Sequence, residues 1–207
     1  MYVMTRLYCF HRPIIGITGG IATGKSTVSK ILSSKYPLVC ADTLIKDIYE
    51  YPETKKFLYD NYPRVIDCDK INFRKLRELA FSDEDVRLDL EGFLYPRLPL
   101  AFYKTIIKNG WEGSRFVFYD VPLLFETGIE KLLDGTVCVY ADRESQLKRL
   151  MRRDVLVNKD LANSMIDSQM DIERKKSLSG YVLNNTSTIS ELENQIENML
   201  DWVGKQI

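Results

Sequence analysis

Three short segments near the start of the chain leave few folds open to it. Ile14, Ile15, Gly16, Ile17 and Thr18 form an apolar, β-branched run, suited to a strand covered on both faces of a parallel sheet. Glycines follow at once in Gly19-Gly20-Ile21-Ala22-Thr23-Gly24-Lys25-Ser26, and then Val28, Ile31 and Leu32 recur at helical spacing. Strand, glycine turn and helix in this order spell G-x-x-x-x-G-K-[ST], the Walker A pattern. The glycines let the backbone turn its N–H groups toward an anion, and the helix start adds partial positive charge. Lys25 would reach the outer phosphates of a nucleotide, and the Ser26 hydroxyl would ligate Mg²⁺. The competing reading is a glycine-rich strand-to-helix turn with a solvated lysine.

Further strands are expected at Leu38–Ala41, Phe116–Tyr119, Val137–Tyr140 and Tyr181–Leu183, each short and each followed by polar or turn residues. Between the second and third of the five lie about seventy residues, Thr43 to Arg115, with helical patterns broken by Pro52, Pro63, Pro96 and Pro99. A βαβ crossover needs far fewer, so this stretch is read as an inserted helical subdomain. From Glu144 to Lys176 the chain is charged and helical, with Leu147, Leu150 and Met151 on an apolar stripe. Ile189, Leu192, Ile196, Met199, Leu200 and Val203 keep helical intervals in the last segment, which should dock on the sheet. The expectation is one α/β domain over residues 13–207, a parallel sheet flanked by helices, with an insertion at about 43–115. The first dozen residues hold two arginines and no acid. They are read as an N-terminal extension, a disordered or loosely packed tail, or alternatively an organellar transit peptide or an alternative start.

Composition narrows the function classes. Lys plus Arg and Asp plus Glu both number 29, so no net field draws the molecule to nucleic acid or an anionic membrane, and any anion site must be local. No run approaches the ~18 apolar residues of a membrane span. Cys9, Cys40, Cys68 and Cys138 lie roughly thirty or more residues apart, and His11 is the sole histidine. That speaks against a zinc site and against Ser-His or Cys-His catalysis outside the N-terminal tail. It fits a reducing, cytoplasmic setting with four small, mostly buried thiols.

Two acids stand where a parallel α/β sheet presents its ligand crevice, at the carboxyl ends of strands. Asp42 ends the second strand, before a helical run from Leu44 to Tyr49. It would accept the proton of an attacking hydroxyl, or else serve as a helix N-cap. Asp120 closes Phe116-Val117-Phe118-Tyr119 in the Walker B manner, for metal or substrate organisation, with a cap or turn role as the alternative. Arg149 and Arg153, four apart beside Gln146 and Arg152, share a helix face. On a helical lid they would exclude water and neutralise a transferring phosphoryl group, whereas the bland reading is a solvated basic face.

Together these pieces resemble the dephospho-CoA kinase family over nearly all of Pro13 to Leu200. The family block GxTGGxxxGKST reads Gly16-Ile17-Thr18-Gly19-Gly20-Ile21-Ala22-Thr23-Gly24-Lys25-Ser26-Thr27. Its AD block reads Ala41-Asp42, and Asp120-Val121-Pro122-Leu123-Leu124-Phe125-Glu126 looks like its D-V-P-L-L-F-E. Gln146, Arg149 and Arg153-Asp154 fit Q-x-x-R-x-x-x-R-D, Gln169-Met170 fits QM, and Arg74 and Phe81 fit the R and F of the insertion. The resemblance implies a P-loop kinase fold of nucleotide core, helical substrate subdomain and a lid at about 145–176. It implies transfer of the ATP γ-phosphoryl to the ribose 3′-hydroxyl of dephospho-CoA. Asp42 would be the base, Lys25 and one of the lid arginines Arg149 or Arg153 would act on the phosphates, and residues Gly19 to Thr27 with Asn185 would hold the nucleotide. Asp42, Arg74, Asp120 and Gln169 would contact substrate, and Ser26 and Asp120 would hold Mg²⁺. Partners are then small molecules, with no nucleic acid and the oligomeric state open.

The chain also departs from that pattern. A histidine common before a proline in the insertion is Tyr95 here, preceding Pro96; the family's glycine-containing turn before Arg74 has Lys70. The A-D-x-x-I-x-N-x-G block aligns with Ser179-Gly180-Tyr181-Val182-Leu183-Asn184-Asn185-Thr186-Ser187, where only Asn185 keeps a distinctive letter. Two further functions stay open: another small-molecule or nucleotide P-loop kinase, and a nucleotide-binding protein without catalysis.

Overall fold

The structure, a computed structural model, describes residues 10–153 and 157–206. It divides into two compact units, residues 42–110 and the rest of the chain. In the larger unit five strands form one parallel sheet: β1 (Ile14–Gly19), β2 (Leu38–Cys40), β5 (Val117–Asp120), β6 (Gly135–Tyr140) and β7 (Tyr181–Asn184). Their order is β2-β5-β1-β6-β7, so β1 sits at the centre with Ile17 beside Asp120 and Gly19 beside Val139. Every residue of β1 and β5 is buried, as parallel strands covered on both faces should be.

Alternation along β1 sends its residues to two faces. Ile15 and Ile17 join Val28 and Leu32 of α1 (Lys25–Ser33), and Leu192, Ile196, Met199 and Val203 of α10 (Ile189–Gln206), in one apolar cluster. Burying each such side chain is worth about 1.5–3 kcal/mol, which is what fastens both helices to the sheet. The expected docking of the last helix holds, except that Ile189 is exposed. On the other face Gly16 has no side chain, and Leu124 and Leu133 fill the space a Cβ would need.

The expected bounds of the second strand are corrected. The second strand stops at Cys40, and Ala41 already belongs to α2 (Ala41–Tyr49). The charged segment after β6 is three helices: α7 (Arg143–Arg153), α8 (Lys159–Asp167) and α9 (Ile172–Leu178). Asn158 caps α8 by accepting from the Leu161 N–H at 2.8 Å, and Asp171 caps α9 by accepting from Glu173 and Arg174 N–H. These short polar side chains bond backbone donors that an uninterrupted helix would have used internally. Met151 is exposed, so the apolar stripe of α7 is Leu147 and Leu150. Asp154 lies outside the described residues.

The smaller unit holds most of α2, then α3 (Pro52–Asn61), α4 (Phe73–Ser82), α5 (Glu84–Leu94) and α6 (Leu98–Lys108). Asn72 caps α4 and Asp83 caps α5, each accepting two N–H bonds of 3.0–3.2 Å. Phe57 stacks on Phe93 at 3.9 Å, and the Arg97 guanidinium covers that Phe93 ring. Helical patterning missed a hairpin of β3 (Ile66–Asp67) and β4 (Lys70–Ile71). Its turn residues Cys68 and Asp69 both adopt positive φ, 46° and 62°, as a two-residue hairpin turn demands, although neither is glycine. Cys68 is therefore exposed and Cys40 half-buried, so only Cys138 of the described thiols matches the expected burial; Cys9 lies outside the described residues. Among the described residues no helix is long and apolar enough to cross a membrane.

Candidate active site

The phosphate loop leaves the end of β1 and enters α1 through Gly24, whose φ of 92° is left-handed. A side chain there would be strained, and its Cβ would also run into the amide of Asn185. Two carbonyls of the loop are held from outside it. Thr23 C=O accepts from Asn185 Nδ2 at 2.8 Å and from Arg149 Nη1 at 3.3 Å, and Gln146 Nε2 donates to Ile21 C=O at 2.7 Å. Ile21 N–H donates to Gln169 Oε1 at 2.9 Å. Among the described residues the N–H groups of Ala22, Gly24, Lys25 and Ser26 have no partner. A turn whose carbonyls are tied down and whose amides are free is an oxyanion site.

Lys25 is not the solvated lysine of the competing reading. Its ammonium pairs with Asp120 Oδ1, and Ser29 Oγ donates to Asp120 Oδ2 at 2.7 Å. Asp120 is 5% exposed at the end of β5, so its carboxylate needs both partners. Ser26 and Thr27 are exposed. Among the described residues no group of three or more His, Cys, Asp or Glu could hold a metal. The donors here are hard oxygens, a hydroxyl and a nearby carboxylate, which suit a cation that takes most of its ligands from water and phosphate.

The other expected residues separate into distinct roles. Arg149 and Arg153 differ: the Arg149 guanidinium is committed to Thr23 C=O and, at 2.6 Å, to Asn185 C=O, whereas Arg153 is exposed at the end of α7. Asn185 is itself fixed by its N–H to Tyr140 C=O at 2.8 Å. Gln169 turns its carbonyl oxygen to the loop. Asp42 neither ends a strand nor caps a helix. It is the second residue of α2, exposed, two positions after Cys40, the register partner of Asp120. Arg74 is exposed on α4, 3.8 Å from Glu78. Tyr95 opens the helical turn Tyr95–Arg97, and partial desolvation of this exposed residue together with Glu91 pushes its phenol up, so it stays a neutral donor where an imidazole would titrate.

Sequence reasoning missed Lys175. It is fully buried, 2.8 Å from Glu126 Oε1, and donates to Pro122 C=O at 2.8 Å. Thr18 Oγ1 donates to that same carbonyl, and Met170 N–H donates to Glu126 Oε1 at 3.0 Å. This network ties α9 and the turn before it to the segment after β5. In the run Arg174-Lys175-Lys176 nothing marks the middle lysine as buried; the only signal was the Glu126 that closes the Asp120–Glu126 block. Burial pushes the neighbouring Cys138 thiol up to about 11, against a smaller downward pull from Lys175.

Known proteins match this geometry in both sequence and structure. The family model CoaE, dephospho-CoA kinase, matches residues 13–191. Dephospho-CoA kinase of Fusobacterium nucleatum is 35% identical over 92% of this chain and 98% of its own length. Dephospho-CoA kinase CAB5 of Saccharomyces cerevisiae is 35% identical over 90% of this chain and 81% of its own. The crystal structure of TT1252 from Thermus thermophilus superposes with a TM-score of 0.82 at 31% identity, covering 92% of this chain and 97% of that one. A Campylobacter jejuni dephospho-CoA kinase, at a TM-score of 0.66 and 24% identity over 93% and 97% of the two chains, shares the fold. With a braced phosphate loop, Asp120 on Lys25, and a match spanning both units, the chain belongs to the dephospho-CoA kinase family.

Proposed function

We propose that this protein transfers the γ-phosphoryl group of ATP to the ribose 3′-hydroxyl of dephospho-CoA, giving coenzyme A. The observation that carries the reading is the phosphate loop, complete in sequence and in backbone geometry, within a chain of this family. The free amides of Ala22 and Gly24 to Ser26 hold phosphate oxygens, and Lys25 offsets charge on the outer phosphates. Ser26 would hold Mg²⁺ directly and Asp120 through water. The ion supplies charge neutralisation across the phosphates when bound. Asp42 accepts the proton of the 3′-hydroxyl and aims it, and an exposed carboxylate with no competing bond among the described residues is free to do so. Arg153, without a bond among the described residues where Arg149 is committed, meets the transferring group from the lid at about 145–176. The unit 42–110 receives the acceptor substrate, with Arg74 available to an anion. Three described free cysteines fit a reducing, cytoplasmic setting.

A coupled assay with ATP, Mg²⁺ and dephospho-CoA, run beside a panel of nucleosides and small alcohols, tests this. Coenzyme A should form, with dephospho-CoA preferred over every other acceptor. Faster turnover of another acceptor would make it a different kinase, and binding of both substrates without product would make it an idle one.

A further inference from the structure

We infer that Gln146 and Gln169 clamp one residue of the phosphate loop, Ile21, through the two peptide groups that flank it, and act as positioning residues for nucleotide binding. This rests on the proposed kinase reading and reassigns Gln169, expected from the resemblance to contact substrate. Ile21 donates its N–H to Gln169 and accepts at its C=O from Gln146, so two side chains from separate elements hold both polar ends of one residue. Gln146 is 1% exposed, and its Oε1 is buried without a partner among the described residues. Burying an acceptor unpaired is costly, so this amide persists there at the expense of local stability. Among the described residues its side-chain amide bonds Ile21 alone. Gly20 makes room for it: a Cβ at that position would lie 2.6 Å from Gln146 Nε2.

The clamp is anchored on its far side. Met170 N–H, next to Gln169, bonds Glu126, and the buried Lys175 holds Glu126 in turn. The Gln169 backbone is therefore fixed before its side chain meets the loop. With Ile21 pinned from both directions and Thr23 C=O pinned by Asn185 and Arg149, the free amides between and after them are set in place before a triphosphate arrives. Binding then need not order the loop, which is where preorganisation yields affinity.

The test compares Gln146→Met, Gln169→Met and the double variant by calorimetric titration with Mg·ATP, thermal melting, and steady-state KM for each substrate. Loss of one such hydrogen bond should weaken ATP binding about tenfold. KM for dephospho-CoA should stay within about twofold. Because both side chains hold the same residue, Ile21, the double variant should fall well short of the ~100-fold loss that independent effects would give. Gln146→Met removes the unpaired acceptor, so its melting midpoint should not drop. A raised KM for dephospho-CoA with normal ATP affinity in Gln169→Met would return that residue to a substrate contact and overturn the clamp. So would additive losses, or a lower melting midpoint with unchanged ATP affinity. If Gln146→Met fails to fold, the split between the two substrates in Gln169→Met decides. A parent protein that binds ATP and makes no coenzyme A would sink the kinase reading while leaving the clamp standing.

Discussion

The phosphate loop and the helical unit 42–110 treat their polar side chains in opposite ways. Around the loop, Lys25, Asp120, Arg149, Asn185, Gln146 and Gln169 each hold a bond to another element, and several are nearly buried. In the helical unit Asp42 and Arg74 are exposed, and the ion pairs are ones such as Lys56–Asp60 and Arg87–Glu84, laid along solvated helix surface. Pairs of that kind contribute little to stability. A site for a triphosphate, whose shape is always the same, gains from being built in advance. Groups that must act on an incoming hydroxyl or a long acceptor are better left solvated and at most loosely paired until it comes.

The sharpest way to break this contrast is at Asp42. Replacing it with Asn should lower kcat by roughly two to four orders of magnitude, the usual weight of a general base. Because the side chain is exposed and bonded to no described residue, the melting midpoint and ATP affinity should not move. Stopped-flow turnover and calorimetry on one preparation check both halves. A variant that turns over normally would remove Asp42 from the mechanism, and one that melts early would give it a structural role that the helical unit is said to lack.

Lys25 should behave in the opposite manner, losing function and stability together. Lys25→Ala strips Asp120 of its cation and leaves Ser29 as its one partner, a cost on the order of 1–3 kcal/mol because the pair is partly reached by solvent. ATP binding or turnover should fall at least about tenfold, which one charge-assisted contact to phosphate is worth. Arg152→Ala, on the exposed end of α7, should cost markedly less in all three measurements. Equal losses from the two variants would mean that the braced loop holds no advantage over the exposed helix end.

Much of the loop side of this contrast was readable from residue order. Strand, glycines and helix at Ile14 to Leu32 place the turn, and an apolar run before Asp120 places the acid beside it. What stayed hidden is what depends on long-range partners. Arg149 and Arg153 look equivalent at helical spacing, and only the carbonyls of Thr23 and Asn185, far off in the chain, set them apart. Lys175 reads as one more charge in a basic run, because burial of a lysine is decided by Glu126 and Pro122. The hairpin at Ile66–Ile71 was missed because two-residue strands carry no period, and its turn uses Cys68 and Asp69 where glycine or asparagine would have announced it. Asp42 was misplaced by two residues of strand, since Ala41 and Asp42 suit a helix start as well as a strand end.

The two described thiols at opposite extremes offer the mildest test. Cys138 lies in the loop-bearing unit, fully buried, with its thiol at about 11, whereas Cys68 sits exposed in the hairpin turn of the helical unit. An unfolded cysteine ionises near ~8.5. Between that pH and about 11 the unfolded chain gives up the Cys138 proton and the folded one keeps it. The folded state then binds more protons, so stability present below pH ~8.5 is lost as the pH rises toward 11, by about 1–3 kcal/mol. Chemical denaturation at pH 8 and pH 10.5 should show a fall in stability that Cys138→Ala reduces and Cys68→Ala leaves alone. An equal response to both substitutions would mean that burial in the sheet confers no more protection than the open turn, and that the two units differ less in their interiors than at their sites.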